Sequence, residues 1–129
     1  MTTTEPVDHL GVDDLLEIAE ALLPRLEIRD VGLLASAAAR PRSSAFGAEA
    51  YPSFPEKAAA LLHAIARNHA LVDGNKRLAW AAARVFCLMN GRDLVLPLDE
   101  AEAMVVGAAA GTLDVPSLAE LIGRSLRGR

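Results

Sequence analysis

The sequence predicts an all-α protein built as one compact helical bundle with a single long loop, and three observations carry that reading. Hydrophobic residues make up 52% of 129 positions while only 4% are aromatic, so alanine, leucine and valine must fill the core, as they do between closely set helices. Glycine and proline are absent from two long apolar runs, Glu56 to Ala70 and Lys76 to Met89. Strict alternation of apolar and polar residues, the mark of a half-buried strand, is missing from both. One domain, residues 1–129, is enough for a chain of this length.

Taken in order, the elements follow from caps and breakers. After a polar start to about Gly11, Asp14 and Glu17 form an Asp-x-x-Glu helix start, and Leu15, Ile18, Ala19, Leu22 and Leu23 supply an apolar face up to Pro24. His9 falls in this loose N-terminal segment. Asp30 can cap a short helix that ends before Pro41. Residues 41–55 hold serines, a glycine and three prolines (Pro41, Pro52, Pro55) and read as the one long irregular connection; loops of that length in compact domains are usually functional. The run Glu56 to Ala70 and the run Lys76 to Met89 are helices, the second stopped by Asn90-Gly91. Trp80 and Phe86 fall in that apolar run and read as core, as does Cys87, which has no partner for an internal disulfide. Leu94-Val95-Leu96 is a short extended link. Asp99 and Glu102 cap a helix through Ala110, and Ser117 with Glu120 starts the last one.

Function concentrates between the two long helices, where residues 69–77 read His-Ala-Leu-Val-Asp-Gly-Asn-Lys-Arg. This is a helix end, a tight turn and a fresh helix start. The first N–H groups of a helix are unpaired and form an anion site. Gly74 can take a positive φ, so that the Asp73-Gly74-Asn75 turn faces its amides toward a phosphate. Lys76 and Arg77 place cations in the first turn, where they oppose the helix dipole unless an anion lies between them. Asp73 suits Mg²⁺, which binds through one or two carboxylates plus nucleotide phosphates. His69 faces the same space, and imidazole titrates near neutrality, as a base that accepts a proton from an attacking hydroxyl must. Together the set reads as nucleotide phosphate transfer. Each part alone has a plainer reading: a helix-end histidine, a common turn, a solvated pair of cations.

The stretch Asn68 to Arg77 resembles the Fic/Doc motif, His-x-Phe-x-Asp/Glu-Gly-Asn-Gly/Lys-Arg, in the lysine-bearing form of its Doc branch. Upstream, Arg29 to Ala37, then Arg40-Pro41, Phe46-Gly47 and Tyr51-Pro52, resemble the segment that forms the family's substrate-facing flap, here about residues 41–55. Lys57 to Asn68 resembles the family's central helix, so the likeness runs over roughly residues 27 to 111. Where AMP-transferring Fic enzymes carry a glycine and a second arginine, this chain has Lys76 and Trp80; Ala70 and Leu71 replace the family's proline and phenylalanine, with Leu71 still able to fill the apolar slot.

The resemblance implies a Doc-type protein kinase toxin that binds ATP in reverse and moves its γ-phosphate to a threonine of elongation factor Tu, stopping translation. It implies His69 as catalytic base, Asp73 as Mg²⁺ ligand, Gly74, Asn75, Lys76 and Arg77 as the phosphate-binding set, and Arg67 as a functionally important basic residue. A flap strand around Ser44 to Ala50 would hold the target peptide by backbone pairing. The expected partner is an antitoxin whose disordered tail folds on binding, so an exposed apolar groove is expected. An AMP-transferring Fic enzyme and a non-catalytic helical module for anions or partners are the other readings. A net charge of -4 disfavours direct DNA binding. With no apolar run of about eighteen residues and no leader-like N-terminus, no membrane role is expected and the cytoplasm is the expected location.

Overall fold

The computed structural model describes residues 6–128; the first five residues of the polar start and Arg129 lie outside them. Six α-helices and four very short strands follow in the order α1 (Val12–Leu22), α2 (Val31–Ala39), β1 (Ser44–Ala45), β2 (Ala48–Glu49), α3 (Phe54–Asn68), α4 (Asn75–Met89), β3 (Arg92–Leu94), α5 (Leu98–Ala110), α6 (Val115–Ser125) and β4 (Leu126–Gly128). A single 3-10 turn, Arg40–Arg42, continues α2. The fold is all-α, as the sequence predicts.

Helix α3 is the centre of the bundle and packs against α2, α4, α5 and α6. Its sequence explains why it can be surrounded. Ala58, Ala59, Ala60, Ala64 and Ala66 are buried beside Leu61, Leu62 and Ile65, and such small side chains let neighbouring helix axes come close. Its start is fixed by a capping box: Ser53 Oγ accepts from the Glu56 N–H at 3.2 Å and Glu56 Oε1 accepts from the Ser53 N–H at 3.1 Å. Helix α4 turns Leu78, Ala79, Ala82, Ala83, Phe86 and Cys87 inward. Burial pushes the Cys87 thiol up to about 12.

Several local expectations change. α1 begins two residues earlier than Asp14; Gly11 is its N-cap and Asp14 accepts the Gly11 N–H at 2.7 Å. α5 starts from Pro97, with Asp99 and Glu100 in its first turn, and α6 is capped by Asp114, whose carboxylate accepts the Ser117 N–H at 2.9 Å. Residues 92–94 pair antiparallel with 126–128, so Leu94, the first residue of the stretch read as an extended link, closes a small sheet, and the Val95 N–H reaches the Ser125 carbonyl at 3.0 Å. The segment holding His9 is tied down: the His9 ring stacks on Phe86, and Asp8 and Asn90 exchange two hydrogen bonds of 2.9 and 3.0 Å. Phe86 is core, but Trp80 is only half-buried.

The irregular connection is shorter than 41–55, because the 3-10 turn occupies its start and α3 begins at Phe54. Between them lies a hairpin with register Ser44↔Glu49 and Ala45↔Ala48. Its two central residues, Phe46 (φ 54°) and Gly47 (φ 78°), are both left-handed, as a tight hairpin turn requires. The hairpin is tethered by Lys57, which is only 3% exposed and donates to Glu49 Oε1 at 2.8 Å and to the Tyr51 carbonyl. Arg40 joins the same region, donating to the Tyr51 hydroxyl and to His63 Nδ1, each at 3.0 Å. No described helix is long and apolar enough to cross a membrane.

Candidate active site

Helix α3 ends at Asn68, and His69 is its C-cap in the left-handed conformation, φ 52° and ψ 46°. A side chain with a Cβ costs about 1–2 kcal/mol there, so other contacts must hold it. They come from residues 27–30. Arg29 donates from Nε (3.0 Å) and Nη2 (2.7 Å) to the His69 carbonyl. The N–H groups of Arg29 and Asp30 both reach the Ala70 carbonyl, at 2.8 and 3.0 Å, and the Val72 N–H reaches the Glu27 carbonyl at 3.0 Å. Leu71 is sealed beneath, 1% exposed. The segment beginning at Arg29, expected to face substrate as part of the flap, is instead a backbone clamp on the loop.

Asn75 supplies the second clamp. Its Nδ2 donates to the Leu71 carbonyl at 2.9 Å and its Oδ1 accepts the Leu71 N–H at 3.0 Å. The side-chain amide is therefore engaged within the loop, and what Asn75 offers a ligand is its backbone N–H. Gly74 (φ 90°) is the N-cap of α4, so the conformation favours glycine, and a Cβ there would lie 2.6 Å from a terminal methyl of Leu23, whose side chain would have to shift. Asp73 Oδ1 accepts the Gly74 N–H at 2.9 Å, leaving Oδ2 without a partner among the described residues.

At the start of α4, the N–H groups of Asn75, Lys76 and Arg77 find no acceptor among the described residues. Nor does Lys76 or Arg77 join any of the ion pairs there. These amides and cations line a cleft of about 290 Å³ together with His69, Asp73 and Gly74, walled by Ala66, Val72 and Ala109. No cluster of three or more metal-binding side chains exists among the described residues. A lone carboxylate such as Asp73 could hold Mg²⁺ only together with ligands from phosphates and water, from which that ion takes most of its coordination.

Arg67 is not in this lining. Its Nη1 donates to the Ala109 carbonyl at 3.0 Å and its guanidinium covers Gly111, fastening the end of α5 to α3. His63 is held below its ordinary titration range by burial and then by Arg40 and Arg67, and its Nδ1 is the acceptor for Arg40. A second depression of about 420 Å³ lies between the end of α1, α4 and α5, with Leu22, Trp80, Leu98 and Val106 in its walls. Lys76 and Arg77 line both cavities.

Sequence reasoning placed Arg29 only in the flap-like segment and Lys57 only at the start of the central helix, and gave neither a contact of its own. Arg29 reaches a carbonyl forty positions away, which no local pattern marks; a lone lysine inside the alanine-leucine run of α3 was the available signal for Lys57.

The model of the Fic/DOC family matches residues 9–87, which hold the cleft's loop, both of its clamps and the helices on either side. Toxin Doc of Mycolicibacterium smegmatis is 46% identical over 120 residues, spanning 90% of this chain and 92% of that protein. On both grounds, this chain belongs to the Fic/DOC family.

Proposed function

We propose that this protein is a Doc-type toxin of a toxin–antitoxin pair, acting in the cytoplasm as a kinase that moves the γ-phosphate of ATP to a hydroxyl of a translation factor, elongation factor Tu being the expected target. The observation that carries the reading is the cleft itself, lined by His69 and Asp73 together with residues 75–77, whose amides and two cations have no partner among the described residues. Anion binding alone needs neither a base nor a metal-competent carboxylate. Similarity to a protein named Toxin Doc supports the same reading.

The chemistry follows from the lining. Phosphate oxygens accept from the amides of residues 75–77 and from Lys76 and Arg77, which offsets the unfavourable position of those cations at the helix start. The target hydroxyl oxygen attacks the γ-phosphorus while its proton passes to the His69 imidazole. The bond from that phosphorus to its bridging oxygen breaks, and ADP leaves. Asp73 would hold Mg²⁺ through its free oxygen; when bound, the ion neutralises charge on the phosphates.

Transfer of the γ-phosphate is favoured over transfer of AMP by two positions. Lys76 adds a cation in the turn itself, and Trp80 puts an indole into the wall of the neighbouring groove where AMP-transferring relatives carry an arginine. That groove supports the antitoxin half of the reading, since Leu98 is 80% exposed and Val106 51% exposed beside it. An amphipathic segment that folds on binding could cover them.

The test is transfer of label from ATP to elongation factor Tu, run in parallel with γ- and α-labelled nucleotide. Label from the γ position alone is expected and is lost in His69→Ala. Label from the α position would replace the kinase with AMP transfer. No label from either would overturn this target or the catalytic reading.

A further inference from the structure

We propose that Arg29 is a positioning residue for transfer, fixing the His69 backbone so that its imidazole stays in the cleft; this rests on His69 being the base. Three observations meet at one carbonyl. His69 carries a left-handed φ of 52° with no glycine to relieve it, at the C-terminus of α3. Its carbonyl is one of the last of that helix and accepts both Nε and Nη2 of Arg29, at 3.0 and 2.7 Å. The main chain around Arg29 then pairs with Ala70 and Val72, so the guanidinium approaches from a segment already locked to the loop.

The physical logic is specific to arginine. A guanidinium offers parallel N–H donors at fixed spacing, while an ammonium offers one point of charge on a flexible stem. A cation at a helix C-terminus is also favoured by the dipole of α3. The two clamps on the loop divide the work. Asn75 fixes Leu71, at the loop's base, and Arg29 fixes the carbonyl of His69, whose φ and ψ set the direction of its own Cα–Cβ bond. Arg29 is outside the cleft lining, so its effect on chemistry runs through His69 and not through contact with phosphate.

Removing the guanidinium lets His69 relax toward ordinary backbone angles and swings its ring. A misplacement of about 1 Å costs about 100-fold in rate. The expected result for Arg29→Ala and Arg29→Gln, assayed as the full chain with γ-labelled ATP and elongation factor Tu, is a fall in kcat of about ten- to 100-fold. KM for ATP stays within about twofold, because the amides of α4, Lys76 and Arg77 are untouched. Arg29→Lys falls between these and the parent. Arg25→Ala, in the same segment but paired only with Glu27 on the surface, changes nothing.

Unchanged kcat in Arg29→Ala and Arg29→Gln overturns the proposal, as does a raised KM with kcat preserved, which would make Arg29 a nucleotide contact. Should the alanine variant fail to fold, the glutamine and lysine variants carry the same comparison. A readout that does not depend on transfer separates this from the base assignment: the His69 ring and Ala70 amide resonances are expected to shift in Arg29→Gln. If His69→Ala keeps full transfer, the base reading fails on its own, while unshifted resonances in Arg29→Gln overturn the positioning role whatever the activity shows.

Discussion

Replacing Asn75 with alanine separates a loop staple from a ligand contact. In the structure its side chain exchanges two hydrogen bonds with the main chain of Leu71, at 2.9 and 3.0 Å, and Leu71 is 1% exposed. Alanine removes both partners at once and leaves a buried N–H and a buried C=O without replacements. An unsatisfied buried backbone group costs about 1–3 kcal/mol. Two of them, partly relieved by water entering next to the exposed Val72 and Asp73, amount to about 2–4 kcal/mol, or a fall in Tm of roughly 10 °C for a domain of this size. Thermal and urea unfolding of Asn75→Ala measure the loss directly, and amide exchange at Leu71 localises it, since that N–H should become one of the faster buried amides. A variant whose Tm stays within about 2 °C of the parent but which no longer binds ATP would refute the reasoning. The side chain would then be a phosphate contact first and a staple second.

Two other expectations can be checked without a substrate. Gly74→Ala must place a Cβ at φ 90° and 2.6 Å from Leu23, so urea unfolding should show a loss of about 2 kcal/mol or more; a loss below about 0.5 kcal/mol would mean the loop turns some other way. The second concerns pH. Burial, followed by Arg40 and Arg67, favours the neutral form of His63, and burial, Arg42 and Lys57 do the same for His9. Below the ordinary histidine value of 6.5 the unfolded chain takes up protons that the folded chain resists, so stability is full above that pH and is lost as pH falls through it. His63→Gln, which keeps an acceptor for Arg40 but cannot titrate, should lose less stability than the parent between pH 7 and 5; equal losses would remove His63 from the account.

How much of this was readable in the sequence depended on the range of the interaction. The ends of α4, the cap at Asp30 and the stop at Asn90-Gly91 are set by residues within a few positions, so composition and spacing marked them. The same local reasoning misplaced the starts of α5 and α6, because Asp99 and Ser117 have the chemistry of caps but already lie inside the first turn. The sheet joining residues 92–94 to 126–128 was invisible, since neither strand is long enough to show alternation. At the cleft, residue types pointed to His69, Asp73, Lys76 and Arg77, and the structure sets all four around one space. Arg67 and Asn75 took their expected roles from the family resemblance. A guanidinium that ends on the Ala109 carbonyl and an amide that ends on Leu71 are decided by tertiary contacts that spacing does not encode.

The buried ammonium of Lys57 has a consequence for how the hairpin at residues 44–49 moves. Strands of two residues are too short to hold themselves together in water, and such a turn would ordinarily fray from its tip inward. Here Glu49 of the hairpin and the Tyr51 carbonyl just after it accept from the ammonium of Lys57, a residue of the central helix that is 3% exposed. Lifting the hairpin gives up both acceptors of the Lys57 ammonium together, and one of them is a charge-assisted bond to the Glu49 carboxylate. The segment is therefore held by the central helix as well as by its own two residue pairs, and its opening is expected to be rarer than that of an untethered loop.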